Sequence, residues 1–269
     1  MGRCLNTLAS TLGTGMPFTA AHPAAIVPLA RGPLLLSALV AGSLAPDVPY
    51  YLYDLPHPVS ARFTHTWTGS LLADVPLALV IIAGLYVVAA PAAALAPTPL
   101  RGRLAAVLPR RSWLSPWLPV SAWLGALTHV AWDMVTHERG ARAPRGAGLR
   151  GAGVDPLHQA LQHGSTVLGL AVLAIVLVRW YRHATHPAPP PGLSPAARIA
   201  VLAAASLVVA GAAVTRGATA LTAYAPEALI RGLLTRVAEG AVVGAVLVLL
   251  GYSLAWWAIR LARNSVPRH

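Results

Sequence analysis

The sequence predicts an all-α membrane protein, a polytopic helix bundle with about five spanning helices and a short N-terminal helical hairpin in front of them. Three observations lead there. Of its 269 residues 56% are hydrophobic and 10% charged, where a soluble domain carries about a quarter charged. The apolar residues gather into runs near the ~20 residues that cross a bilayer core. The net charge of +12 comes entirely from arginines, and these collect between the apolar runs. That distribution reads as loop charge meeting anionic lipid, not as the single basic face of a nucleic-acid binder.

Residues 1–15 are too polar for the apolar core of a signal peptide and are expected to be a disordered extension. From Met16, the stretch MPFTAAHPAAIVPLARGPLLLSALVAGSLAPD is divided by Pro23, Pro28 and Pro33 into two pieces, 22–31 and 34–46, each too short to span. Pieces of this kind survive in a membrane only against protein or beside a cavity. A compact hairpin is therefore expected, bringing His22 and Asp47 to the same end. The three tyrosines of GSLAPDVPYYLYDLPHP suit an aqueous interface.

His65, in RFTHTWTGS, precedes the first span, 67–96, which contains Asp74 and Pro76. On a continuous helix nine residues turn Asp74 almost opposite His65. Asp74 is assigned to hydrogen-bonding support or helix pairing, with the backbone freed by Pro76 as an alternative partner. Residues 97–116 read as a basic cytoplasmic loop, and the second span, 117–137, starts at Ser115-Pro116. A Gly-, Ala- and Arg-rich loop at 139–154 leads to the third span, 156–181. The expected domains are the extension, a site-bearing membrane domain over 16–181, a proline-rich linker at 182–196, and a C-terminal pair over 197–269 with spans at 197–214 and 237–259. Gly240 and Gly244, at small-xxx-small spacing, point to close packing or to a homo-oligomer through the last helix.

The chemistry concentrates in GALTHVAWDMVTHERG, residues 125–140. His129, Asp133 and His137 are spaced four apart and share one helical face. Imidazole and carboxylate suit a zinc-like divalent ion, and an ionised aspartate in a span is costly without compensation. The single cysteine, Cys4, leaves nitrogen and oxygen as the available ligand atoms. Each residue alone admits a plainer reading: a His–Asp pair, a helix-start His22 before Pro23, a turn-forming Asp47. Topology joins them. If 67–96 crosses inward and 117–137 crosses back, His65, Asp133 and His137 lie on one side, with the start of the third helix and, through the hairpin, His22 and Asp47.

On that third helix His158 and His163 differ by about 140°, so one of them faces the motif. His163, in LQHGST, is preferred. Six or seven imidazole and carboxylate groups are thus expected to converge at one end of the bundle, a set that suits one or two divalent ions, zinc first among them. Asp133 and His137 are the candidates for proton transfer. Asp74, Thr136 and Gln162 are candidates for hydrogen-bonding support behind the ligands. No glycine-rich phosphate loop, nucleophile elbow or dinucleotide fingerprint is present.

The segments MPFTxxHPA, GSLAPD, FTHTxxG, GALTHVxWDxxTH and LQHGST, over residues 16–180, together resemble an uncharacterised bacterial family of integral membrane proteins known as a domain of unknown function. More distantly, the PD turn, the TH element and the HxxxDxxT helix resemble the YdjM-like membrane-bound metal-dependent hydrolases. The order His, Asp, His, HxxxD, His resembles the zinc-dependent phospholipase C and S1/P1 nuclease fold. Where YdjM-like proteins read PDxD, this chain has Pro46-Asp47-Val48-Pro49. These resemblances imply metal binding by His22, Asp47, His65, His129, Asp133 and His163, and hydrolysis of a phosphoester of a lipid or other amphiphile. The implied setting is the bacterial cytoplasmic membrane, with membrane lipids and an amphiphilic small-molecule substrate as partners and no nucleic acid. Three expectations compete: a non-catalytic metal-binding or transport protein, a structural membrane protein, and an enzyme that rearranges a hydrophobic substrate by acid chemistry.

Overall fold

The computed structural model describes residues 19–52, 58–107, 115–136, 156–185, 188–226 and 229–264. Among these every regular element is helical, as lipid requires of a chain that must satisfy its own N–H and C=O groups. The extension at 1–15, His137 and the loop at 139–154 lie outside the described residues. Two compact units divide the chain, one covering Phe18–Gly192 and the other containing Leu193–His269.

Four helical runs are long and apolar enough to cross a membrane: Trp67–Leu95, His163–His183, Pro195–Ala223 and Gly232–Arg263. This is a membrane protein. They correspond to four of the five expected spans. The remaining one is helical over Trp117–Thr136 but is not among the four. His129 and Asp133 dilute its hydropathy, and one of its faces, from Leu118 through His129 and Val130, is buried in the first unit.

In the first unit, Thr19–Leu29 forms a 3-10 helix. Pro23 and Pro28 inside it withhold the N–H groups that an α-helix would use, which explains why an eleven-residue helix takes the tighter form. It packs on α1 (Leu36–Leu44), so the two proline-bounded pieces do fold back on each other. A second 3-10 turn, Ala45–Asp47, leads into α2 (Val48–Tyr51). Then follow α3 (Ala61–Thr64), α4 (Trp67–Leu72), α5 (Asp74–Leu95), α6 (Thr98–Val107), α7 (Trp117–Thr136) and α8 (Pro156–His183). The first span is thus interrupted at Ala73, immediately before Asp74.

The contact that positions the site is α1 against α7. A Cβ on Gly42 would overlap the Ala122 carbonyl, and one on Gly125 would overlap the Leu39 carbonyl. The surrounding core is mostly small: Ala38, Ala41, Ala45, Ala78 and Ala122, with Ile82 and Leu118. Where lipid removes the hydrophobic drive between helices, small side chains that let backbones touch supply the packing energy instead.

In the second unit, α9 (Pro195–Ala218) packs along α11 (Leu229–Asn264), with α10 (Ala220–Ala223) between them in sequence. Gly240 and Gly244 face Ala212 and Val209 of α9. The small-xxx-small face is therefore filled within the chain. Glu239 is buried and accepts from Arg216 Nε at 3.4 Å and Arg236 Nη1 at 3.2 Å.

Candidate metal centre

Five donor side chains from four backbone elements meet in the first unit. His22 comes from the first 3-10 helix, and Asp47 closes the second. His65 is the residue that ends α3. His129 and Asp133 lie one turn apart on α7. The Thr64 hydroxyl donates to the Pro46 carbonyl at 2.7 Å and so ties the His65 backbone to the Asp47 turn.

Four donor atoms form a closed ring. His65 Nε2 lies 3.4 Å from Asp47 Oδ1 and 3.4 Å from Asp133 Oδ2. His129 Nε2 lies 3.5 Å from each of the same two oxygens. Donors around a tetrahedral zinc, bound at about 2.0–2.1 Å, stand about 3.3–3.4 Å apart. The four edges of the ring match that spacing.

The tautomers agree with it. His129 Nδ1 donates to the Ser43 carbonyl at 2.8 Å, and His65 Nδ1 donates to the Ala61 carbonyl at 2.8 Å. A carbonyl only accepts, so each Nδ1 carries the proton, and in the neutral ring Nε2 presents its lone pair to the cluster. His129 Nε2 is buried without a hydrogen bond, a costly state that a bound cation would relieve. The donor set therefore fits a divalent ion. His129 and Asp47 are almost fully buried, whereas the side chains of His65 and Asp133 retain 19% and 13% exposure, so the centre opens along the His65–Asp133 edge.

His22 stacks on His129, with ring centroids 3.8 Å apart and planes inclined by 22°. Its Nε2 is 3.7 Å from Asp133 Oδ1. Two overlapping donor groups result, His22–His129–Asp133 and Asp47–His65–His129.

His65 precedes the first span. Burial alone would pull its pKa down, but the carboxylates of Asp133 and Asp47 override burial and raise it to about 9 in the metal-free chain. Tyr50, in sequence only one of three interface tyrosines, sits edge-on to His65 at 5.8 Å. Burial and the charges of Asp47 and Asp133 push its phenol up to about 12, so it stays protonated. Its place three residues after Asp47, within a turn of helix, was the available signal.

Other candidates fall elsewhere. His163, expected among the ligands, is exposed on α8 and belongs to neither donor group. Gly169 is the α8 residue that meets Ala21, and six residues place His163 about 120° around the helix from it. Asp74 is fully buried at the start of α5, outside the donor groups, and neither carboxylate oxygen has a hydrogen-bond partner. The backbone freed by Pro76 is thus not its partner. Thr136 is buried and donates to the Trp132 carbonyl at 3.0 Å. His137 and the side chain of Gln162 lie outside the described residues.

A family model described as Domain of unknown function (DUF4184) matches residues 16–254. The chain belongs to that family. The match takes in all five converging donors and most of α11, so in DUF4184 the site-bearing unit and the C-terminal helices form one family unit. No curated protein and no solved structure matches.

Proposed function

We propose that this DUF4184 protein is a membrane-embedded metal-dependent hydrolase of the bacterial cytoplasmic membrane, acting on a phosphoester of a lipid or other amphiphile. The observation that carries the proposal is the ring of Asp47, His65, His129 and Asp133, with edges of 3.4–3.5 Å and both imidazoles fixed by backbone carbonyls. The likeness of its motif order to YdjM-like hydrolases and zinc phospholipases supports the same chemistry. So does its position: His65 lies two residues before the Trp67–Leu95 span, where an amphiphile's polar group would stand at the surface with its tail in lipid.

Asp47, His65, His129 and Asp133 would hold a divalent ion, zinc first, which would supply bound water with a pKa lowered towards about 7 and polarisation of a phosphoryl oxygen. Asp47 and His129, buried, hold the site rigid. In a one-ion site Asp133, on the open edge, would accept the proton from water as the new O–P bond forms. The Tyr50 phenol is poised to donate to the departing alkoxide as the old P–O bond breaks.

The test is metal content per chain by elemental mass spectrometry on detergent-purified protein, for wild type beside His129→Ala and Asp133→Ala, followed by phosphomonoester and phospholipid hydrolysis with and without chelator. Metal retained by wild type, lost in both variants, and chelator-sensitive turnover are the expected results. A folded wild type that neither retains nor takes up metal sinks the proposal. Bound metal without turnover favours a non-catalytic metal-binding protein.

A further inference from the structure

We propose that the centre is binuclear, with His22 binding a second ion and the Asp133 carboxylate bridging the two. This rests on the metal-binding reading given above and adds nuclearity and a division of labour to it.

The argument is one of ring planes. An imidazole lone pair lies in the plane of its ring, so two histidines share an ion only where their planes cross close to both nitrogens. His65 and His129, inclined by 75° with centroids 5.2 Å apart, have planes that do cross, and their ligand atoms lie within 4.8 Å of one another. The planes of His22 and His129 do not cross close to the nitrogens. With centroids 3.8 Å apart and an inclination of 22°, their planes meet only about 10 Å from the rings, whereas an ion sits about 2 Å from its nitrogen. Each of these two stacked rings therefore addresses its own ion. The ions then stand side by side at about the ring spacing, and two-metal hydrolytic sites hold their ions about 3.5–4 Å apart.

The carboxylate between the rings is divided in the same way. Asp133 Oδ2 faces His65 and His129 at 3.4 and 3.5 Å, while Oδ1 faces His22 at 3.7 Å. His22 is held in place because its 3-10 helix packs on both α7 and α8 and the ring itself is buried.

The two positions differ in kind. The first ion would draw on the ring of Asp47, His65, His129 and Asp133. The second has two protein donors, His22 and Asp133, so water and a phosphoryl oxygen complete its shell. The first is the tight, anchoring position. The second is weaker and exchangeable, and it is where an anionic phosphoester would enter the coordination shell.

The test uses the full-length protein in detergent, stripped of metal and titrated with Mn(II), read by electron paramagnetic resonance and by elemental mass spectrometry after desalting. Two equivalents are expected, the first giving an isolated-ion signal and the second converting it to an exchange-coupled one. His22→Ala should keep one equivalent and the isolated-ion signal. Wild type saturating at one equivalent, or two ions without coupling, or an intact coupled pair in His22→Ala would overturn the proposal. If His22→Ala does not purify as a folded species, the wild-type titration decides alone. A coupled pair without phosphoester turnover would leave two ions standing and remove the hydrolase, whereas turnover with one ion would do the reverse.

Discussion

His129 donates its Nδ1 proton to the carbonyl of Ser43 at 2.8 Å, so a ring on α7 takes its orientation from the backbone of α1. The contact exists because Gly42 and Gly125 let the two helices touch. Gly42→Ala is expected to cost about 1–3 kcal/mol through overpacking and to weaken metal binding about 10- to 100-fold through the displaced hydrogen bond. Thermal unfolding and chelator competition read the two effects. Gly84→Ala is the control, since a Cβ there meets nothing within 4 Å. Equal behaviour of the two variants would break the link between helix contact and ring orientation.

The pH dependence follows from His65. Its folded-state value is raised from the ordinary 6.5 to about 9. The stabilisation it brings to the metal-free protein is therefore complete below about pH 6.5 and is lost as pH rises through about 9. With chelator present, the melting temperature should fall between pH 7 and 10. Metal binding should run the other way, tightening over the same window as the competing proton leaves. A metal-free melting temperature that stays flat from pH 7 to 10 would contradict a charged His65.

Tyr50→Phe removes a phenol that stays protonated at about 12 and leaves every donor atom in place. Metal content should be unchanged and phosphoester turnover should drop about 100-fold, the scale of one positioned proton donor. A loss of metal instead would make Tyr50 part of the cluster's support.

Asp74 is buried with both carboxylate oxygens lacking a hydrogen bond. An uncompensated carboxylate inside a membrane span destabilises the fold. Asp74→Asn should therefore raise the melting temperature while leaving the metal content of the ring unchanged. A fall in the melting temperature would show that the carboxylate has a ligand in the native protein.

The converging donors were legible because ionisable side chains inside apolar runs are costly and rarely accidental. His22, Asp47, His65, His129 and Asp133 stand out in the sequence for that reason. The hairpin was legible through its prolines. His163 lies outside both donor groups; the rotational phase of α8, with Gly169 against Ala21, is something helical spacing alone does not reveal. Length and the Ser115-Pro116 start point to the 117–137 span, whereas the polar groups of α7 also lower its hydropathy. The orienting carbonyls of Ser43 and Ala61 were invisible, since every residue carries one. The close approach at Gly42 and Gly125 depends on which two helices meet, and local pattern leaves that open.

All five donors lie between residues 22 and 133 of a 269-residue chain. During synthesis the donor set is complete once Asp133 has been made, ahead of α8, α9 and α11. The centre can close around its metal while α9 and α11 are still unwritten, so a ribosome stalled after α8 should already carry a chain that binds metal.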